Sequence, residues 1–439
     1  MPSNRINHFI ACLGIGLLAV CSGKAQSDSL HLSVQALFDL GVENNLQLTA
    51  SRLKEQMATE RLSTARMALY PDIEVGLKGG VLGQPVVFQN GLSNPTRPDT
   101  PDWQQNYAID FSQPLYQGGR IKYAIRQADL EKEIASLQTH VSKADLKLVL
   151  LEQYLNLFSL YKQCKVLNRN IEESERRLKD IRQMKEEGLI TNNDVLRSEM
   201  QLTNNRLSLT ETQNNIRLVS QRLDILLGQN ENLIIFPDTT LLEQVYTTRG
   251  YDTYLQQAFS ADPSMLLLQK QTELAENNIS LIRAEQRPKL SLTASNTLAR
   301  PVSRTLADMY NNNWNIGLSL SYPLSSLYRN KHRMNEARLG ILLSQNAQEQ
   351  QKQHIQTTVQ EALLKHHEAV SRVEALQLSV RQAEENFRIM NNRYLNQLAI
   401  LTDLLDADNL RLNVELQLTT ARTRVVYTYY QLQRAIGEL

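Results

Sequence analysis

Asp403 and Asp406 stand three residues apart in Thr402-Asp403-Leu404-Leu405-Asp406-Ala407. On a helix that spacing sets two carboxylates one turn apart along one face. Carboxylates brought close together attract cations and hold their protons more tightly. Taken singly, Asp403 and the earlier Asp194 read as helix-start carboxylates, capping or solvated. Other chemistry is poorly supplied. His366 and His367 are adjacent on a helical pattern and so point to different faces, and no His-Glu-x-x-His or paired spacing accompanies them, which argues against a metal site. Gly79-Gly80 and Gly118-Gly119 lack the Lys-Ser/Thr or the strand-then-helix context of a phosphate loop and read as turn glycines. No serine or cysteine sits in a recognisable nucleophile setting. These residues point away from an enzyme and toward a protein without a cofactor.

The elements that position the aspartates are written twice. Asp194, in Gly188-Leu189-Ile190-Thr191-Asn192-Asn193-Asp194, precedes Asp403 by 403 − 194 = 209 residues. The same offset carries Gln113-Pro114-Leu115 onto Tyr322-Pro323-Leu324 and Leu226-Leu227-Gly228 onto Ala435-Ile436-Gly437. Tyr70-Pro71 answers to Arg287-Pro288 at 288 − 71 = 217, so the first copy holds about eight extra residues between its prolines. A unit this long far exceeds the roughly 20 to 50 residues of a solenoid repeat. It predicts a pseudosymmetric body with its function on the axis. The copies span 26–228 and 251–439, joined by a segment at 229–250 around Phe236-Pro237-Asp238 that has no helical period.

Residues 1–25 read as a secretory signal: Arg5 and His8, an apolar run from Phe9 to Val20, then Ser22-Gly23-Lys24-Ala25 with cleavage after Ala25. The run is too short for the ~20 residues that span a bilayer. Lipid attachment at Cys21, in Leu18-Ala19-Val20-Cys21, stays open as an alternative, although Val20 is bulky for such a site. Without Cys12 and Cys21, only Cys164 remains, expected to be buried in a helical pattern; no intrachain disulfide can form, which suits an oxidising compartment. Lys and Arg number 47 against 46 Asp and Glu, so the chain lacks the basic face of a nucleic-acid binder.

Four short segments alternate with period two. Ile73, Val75 and Leu77 are followed by Tyr107, Ile109 and Phe111 in a hairpin at about 72–113; Leu290, Leu292 and Ala294 are followed by Trp314, Ile316, Leu318 and Leu320 in one at about 289–322. Roughly 10 residues each, they have the length of membrane-spanning strands. Soluble hairpins with one wet face are the alternative. Trp103 and Trp314 favour the membrane, since both open the second strand of a hairpin, where an aromatic girdle would lie. The connections 79–102 and 299–313 read as exposed loops.

Long helical patterns flank the hairpins. No proline interrupts 115–236, and the seam residues predict helices at about 119–186 and 192–227, repeated at about 328–395 and 403–436. The longer ones would reach ~100 Å. Shorter helices are expected at about 33–69 and 252–286, with prolines 71 and 288 marking the change to strand and prolines 114 and 323 the strand ends.

The mature chain resembles the outer-membrane efflux proteins of the TolC-like family. Carrying that resemblance are the strand-to-helix junction Gln113-Pro114-Leu115-Tyr116-Gln117-Gly118-Gly119-Arg120 with Ala124 and Gln127-Ala128, and two helix-turn-helix tips, Gly188-Leu189-Ile190 with Asp194-Val195, and Thr402-Asp403-Leu404-Leu405-Asp406-Ala407. It implies a mainly α fold with a membrane β-barrel: a homotrimer in which four strands per chain make a 12-stranded barrel, continued by a tunnel of long coiled-coil helices through the periplasm. It also implies a passive efflux duct, fed by an inner-membrane transporter through a periplasmic adaptor docked at the tips, near Gly188, Leu189, Gln397 and Leu398. Asp403 and Asp406 match the family's acidic pore aperture; Tyr394 and Asp194 match the pair that latches the tip. The chain departs from the pattern at Glu187, at Gln397 and at Ala399, where the best-known pattern has a latch arginine. Two alternatives are a duct for polypeptide secretion, which the sequence does not separate from small-molecule efflux, and a soluble periplasmic coiled-coil scaffold.

Overall fold

The structure is a computed structural model that describes residues 29–88, 90–229, 234–238, 244, 246–302 and 307–439. The expected signal segment, with Cys12 and Cys21, lies outside the described residues. In chain order the first copy runs β1 (Ser29–Leu32), α1 (Val34–Asn44), α2 (Leu46–Met67), β2 (Asp72–Val81), the short β3 (Val87–Phe88) and β4 (Pro95–Thr96), β5 (Trp103–Tyr116), α3 (Arg120–Glu186) and α4 (Asn192–Leu226). After β6 (Ile234–Pro237) come α5 (Tyr251–Ala261), α6 (Pro263–Glu285), β7 (Lys289–Arg300), β8 (Asn311–Ser321), α7 (Ser326–Leu395) and α8 (Leu401–Ala435).

The helices expected over 33–69 and 252–286 are each two. Asn45 ends α1 through its backbone N–H to the Gly41 carbonyl, and its side chain accepts from Gln47 and Leu48 to start α2. Asp262 caps α6 in the same way, accepting from the Met265 N–H at 2.9 Å with Pro263 at the first helical position. Both breaks follow from a short polar side chain that captures the orphan N–H groups of a new helix start. The apolar period runs through them, which is why periodicity alone joined the pieces.

The four main strands form one antiparallel sheet in the order β2-β5-β7-β8, and it does not close on itself. Register places Ile73 opposite Phe111, Phe111 opposite Ala294 and Ala294 opposite Ile316, so one face is a continuous apolar band from edge to edge. The other face carries Glu74, Asp110, Ser295 and Asn315 in the adjacent row. On the band, Val75, Leu77, Ile316 and Leu318 are two-thirds or more exposed. No other element among the described residues covers them. The strands run further into the expected loops than alternation suggested, and β5 continues past Pro114 through a bulge to Tyr116.

Glycine makes the strand-to-helix junction. Gly118 and Gly119 have φ of +64° and +91°, and a Cβ on Gly118 would lie 2.6 Å from the Ala284 carbonyl oxygen. A side chain there would meet both a left-handed backbone and a neighbouring helix end.

The main core sits midway along the helices. Leu37, Leu150, Leu151, Leu157, Leu223, Leu227 and Ile235 are fully or almost fully buried together. Parallel pairing of β1 with β6 ties the chain start to the connecting segment. Tyr154 closes this waist: its hydroxyl donates to the Leu32 carbonyl at 2.6 Å and accepts from the Asp238 N–H at 2.7 Å. Burial pushes that hydroxyl's pKa up to about 12. A second cluster, around Tyr254, Val359, Leu363 and Leu432, packs α5 and α6 on α7 and α8. Cys164 is half-buried rather than buried.

Candidate functional site

Each long helix pair ends in a tight turn, and the two turns share their backbone bonds. In the first, Gly188 closes α3 with φ +75°, while Leu189 N–H donates to the Met184 carbonyl at 2.9 Å. In the second, Gln397 takes φ +60° and Leu398 N–H donates to the Arg393 carbonyl at 2.8 Å. The positions correspond, since 397 − 188 = 209 and 398 − 189 = 209. Gly188, Leu189, Gln397 and Leu398 are all exposed at the turn ends.

The side chains that follow behave differently. Thr191 caps α4 and forms a reciprocal capping box with Asp194, whose Oδ2 accepts from the Thr191 N–H at 3.0 Å and from the Thr191 hydroxyl at 2.7 Å. Oδ2 of Asp194 thus serves the start of its own helix. At the equivalent place α8 has Ile400, which offers no capping side chain. Asp403 and Asp406 sit on the exposed face of α8 in the same row, their carboxylates without a hydrogen bond or ion pair among the described residues, while Leu404, Ala407 and Asp408 turn inward. Two unengaged carboxylates one turn apart present negative charge to whatever they face.

Tyr394 lies at the end of α7, buried among Ile181, Val195, Leu401 and Leu404. Its hydroxyl finds no hydrogen-bond partner among the described residues. Burial pushes its pKa up; the Asp194 carboxylate adds to the rise and the Arg177 guanidinium opposes it. Tyr394 and Asp194 are therefore in electrostatic range, yet no hydrogen bond joins them inside one chain, where Asp194 Oδ2 accepts from Thr191.

Behind Asp403 and Asp406 is a group the sequence reading missed. Asp408 is almost wholly buried, its Oδ2 accepting from Arg177 at 2.6 Å and its Oδ1 from Arg411 at 2.8 Å and Asn170 at 3.3 Å. Arg411 also pairs with Glu173 and lies 4.0 Å over the Phe387 ring. Asn205 extends the network to Asn170 at 2.6 Å. A signal for it existed: Arg411 and Asp408 stand 209 residues after Leu202 and Glu199, so charge has entered a seam position that is leucine in the first copy.

At the far end of the molecule Trp103 and Trp314 are 62% and 73% exposed on the apolar face of the sheet. Trp103 begins β5 opposite Val81, whereas Trp314 is the fourth residue of β8 rather than its first, opposite Asn296. No helix among the described residues is long and apolar enough to cross a membrane.

Residues 37–229 and 254–438 match the family model described as outer membrane efflux protein. The outer membrane protein TolC of Vibrio cholerae serotype O1 is 20% identical over 410 residues, covering 92% of this chain and 90% of that protein. Among solved structures, the outer membrane protein VceC from Vibrio cholerae superposes with a TM-score of 0.75 at 17% identity, over 92% of this chain and 96% of VceC. CusC gives 0.77 at 18% identity, over 92% of each chain. The open state of the Neisseria gonorrhoeae MtrE channel gives 0.73 at 18% identity, over 92% of this chain and 88% of MtrE.

Proposed function

The chain belongs to the outer membrane efflux protein family, and from that premise we propose that it is the outer-membrane duct of a tripartite export system. It carries small molecules outward from an inner-membrane transporter, received through a periplasmic adaptor. The observation that supports this most is the open sheet: an uncovered apolar face with unpaired edges at β2 and β8. In lipid every unsatisfied edge group costs several kcal/mol, so such a sheet is stable only when closed. Three copies supply 3 × 4 = 12 strands, and a homotrimer is the assembly proposed. Trp103 and Trp314 then lie at the lipid interface, where indole rings concentrate.

Below the barrel, the long helices of three chains enclose the tunnel. Asp403 and Asp406 ring its narrow end with six carboxylates, favouring cations. Tyr394 and Asp194 act as the latch of that end, the hydroxyl meeting its partner when the helix pairs are assembled. Gly188, Leu189, Gln397 and Leu398 present the surface the adaptor grips. The MtrE relative is known in an open state, which supports reading the tip as a gate.

Fractionation and mass measurement test the proposal together. The protein is expected to stay with outer membranes after carbonate washing and to leave detergent as a trimer. A stable monomer that washes off with carbonate would instead be a soluble coiled-coil scaffold.

A further inference from the structure

The segment that joins the two copies crosses the waist, and part of what it lies on has changed in a matched way between the copies. Leu157 and Val219 are buried in the main core. Their counterparts 209 residues on are His366 and Thr428, both almost wholly buried. Valine and threonine share a shape, so the exchange keeps the packing and adds a polar contact. His366 Nδ1 lies 3.1 Å from the Thr428 hydroxyl oxygen. That hydroxyl gives its own hydrogen to the carbonyls of Arg424 and Val425 one turn back on α8, at 2.9 and 3.0 Å. It therefore accepts from the ring, which puts the hydrogen of a neutral His366 on Nδ1 and leaves Nε2 a bare lone pair. Nε2 is buried without a hydrogen-bond partner among the described residues.

Against this pair lies the joining segment. The Tyr246 ring packs on Tyr429 of α8 at 4.5 Å between centroids, and Tyr429 lies 5.9 Å from the His366 ring. Thr248 meets His367 Nε2 at 3.2 Å, and the Arg249 N–H donates to the Tyr254 hydroxyl of α5 at 3.0 Å. Burial opposes a charge on His366 most, and His367 beside it on α7 adds to that; the backbone of Val425 and of Tyr246 favours the charge and is outweighed. Lys365 and Glu368 of α7 pair with each other at 2.9 Å, and the Arg424 guanidinium of α8 lies over the Tyr427 ring. No carboxylate among the described residues acts on the His366 ring.

We propose that His366 is an acid-sensitive pin: while neutral it seals the joining segment onto α7 and α8, and on gaining a proton at Nε2 it lets that segment go. A cation in the closed waist has no counter-charge to face, whereas in the released waist it is hydrated. Acid therefore draws the population toward the released form. Leu157 gives the first copy no such response, so the loosening is confined to the second copy's side. The pin does not depend on the duct reading.

The test is hydrogen exchange of the full-length protein in detergent, read as protection relative to the unstructured rate at each pH over peptides spanning 246–249. Between about pH 7.5 and about pH 5 the parent should lose protection there by up to about 30-fold, since a released ring titrating near ~6.5 gains roughly tenfold in population per pH unit below that value. His366→Leu, the first copy's residue, and His366→Gln, which keeps a neutral donor toward Thr428, should hold their protection in acid. His367→Gln should respond as the parent does. Equal parental protection at both pH values overturns the pin. So does greater protection in acid, which would mean that the Tyr246 backbone captures the new proton and tightens the segment. A response kept in His366→Gln places the sensor elsewhere and overturns it as well. If His366→Leu does not assemble, His366→Gln decides alone.

Discussion

The two helix-turn-helix tips come from one duplicated pattern, yet the first is built from residues that suit its backbone and the second from residues that do not. Gly188 occupies the left-handed turn position of the first tip, and Gln397 occupies it in the second. Thr191 caps α4, whereas Ile400 stands uncapped before α8. Leu157 and Leu202 in the first copy's core become His366 and Arg411. The first pair is a scaffold with its local needs met, and the second has traded local fit for free carboxylates and buried charge. Differences between otherwise duplicated elements therefore mark where function was placed.

The comparison is broken most severely by removing buried charge. Asp408→Leu leaves Arg177 and Arg411 without their shared acid, a loss of about 3–5 kcal/mol for a buried pair, whereas Glu199→Leu removes a surface pair worth ~1 kcal/mol or less. Thermal midpoints of the two variants should fall far apart; equal shifts would mean that the Asp408 cluster is no tighter than a surface pair. Next in size is the capping contrast. Asp194→Ala should lose about 1 kcal/mol by undoing the box with Thr191, and Asp403→Ala close to nothing. Equal losses in denaturant titrations would erase the distinction between a bound and a free aspartate.

Smaller still, Gln397→Gly should stabilise the second tip by up to ~1 kcal/mol by relieving the left-handed turn, and Gly188→Gln should cost a similar amount. Hydrogen exchange at Leu398 and Leu189 reads each turn separately, and faster exchange at Leu398 in Gln397→Gly would contradict the strain. The smallest effect concerns acid. His366 is buried with Nδ1 3.1 Å from the Thr428 hydroxyl, and burial, reinforced by neighbouring His367, lowers its pKa. The folded state then binds fewer protons than the unfolded one, so stability is complete above the unfolded value of about 6.5 and falls as pH drops below it toward the lowered folded pKa. His366→Leu, restoring the first copy's residue, should flatten that slope between neutral and mildly acid pH.

Much of this was legible in the sequence because repetition and period are local properties. The offset between Asp194 and Asp403, the period-two strands and the seam residues Val195 and Leu202 placed the sheet and the helix pairs within a few residues. The breaks at Asn45 and Asp262 were hidden, since a cap interrupts hydrogen bonding without interrupting apolar spacing. Asp194 and Asp403 looked alike because their difference lies three residues upstream, at Thr191 and Ile400. The Asp408 cluster was hidden for another reason: which face of α8 meets α3 is fixed by packing between distant segments, and only the substitution of Arg411 for the seam leucine gave a hint of it.

The central claim is that Asp403 and Asp406, left free by the second tip, line the narrow end of an export duct. Bilayer recordings of the parent and of the Asp403→Ala, Asp406→Ala double variant, titrated with hexaamminecobalt(III), test it most directly. The account predicts that the parent is cation-preferring and blocked by the trivalent ion, and that the double variant loses most of both while Asp194→Ala keeps them. A double variant with parental block and selectivity would make these aspartates ordinary helix-start residues and contradict the account.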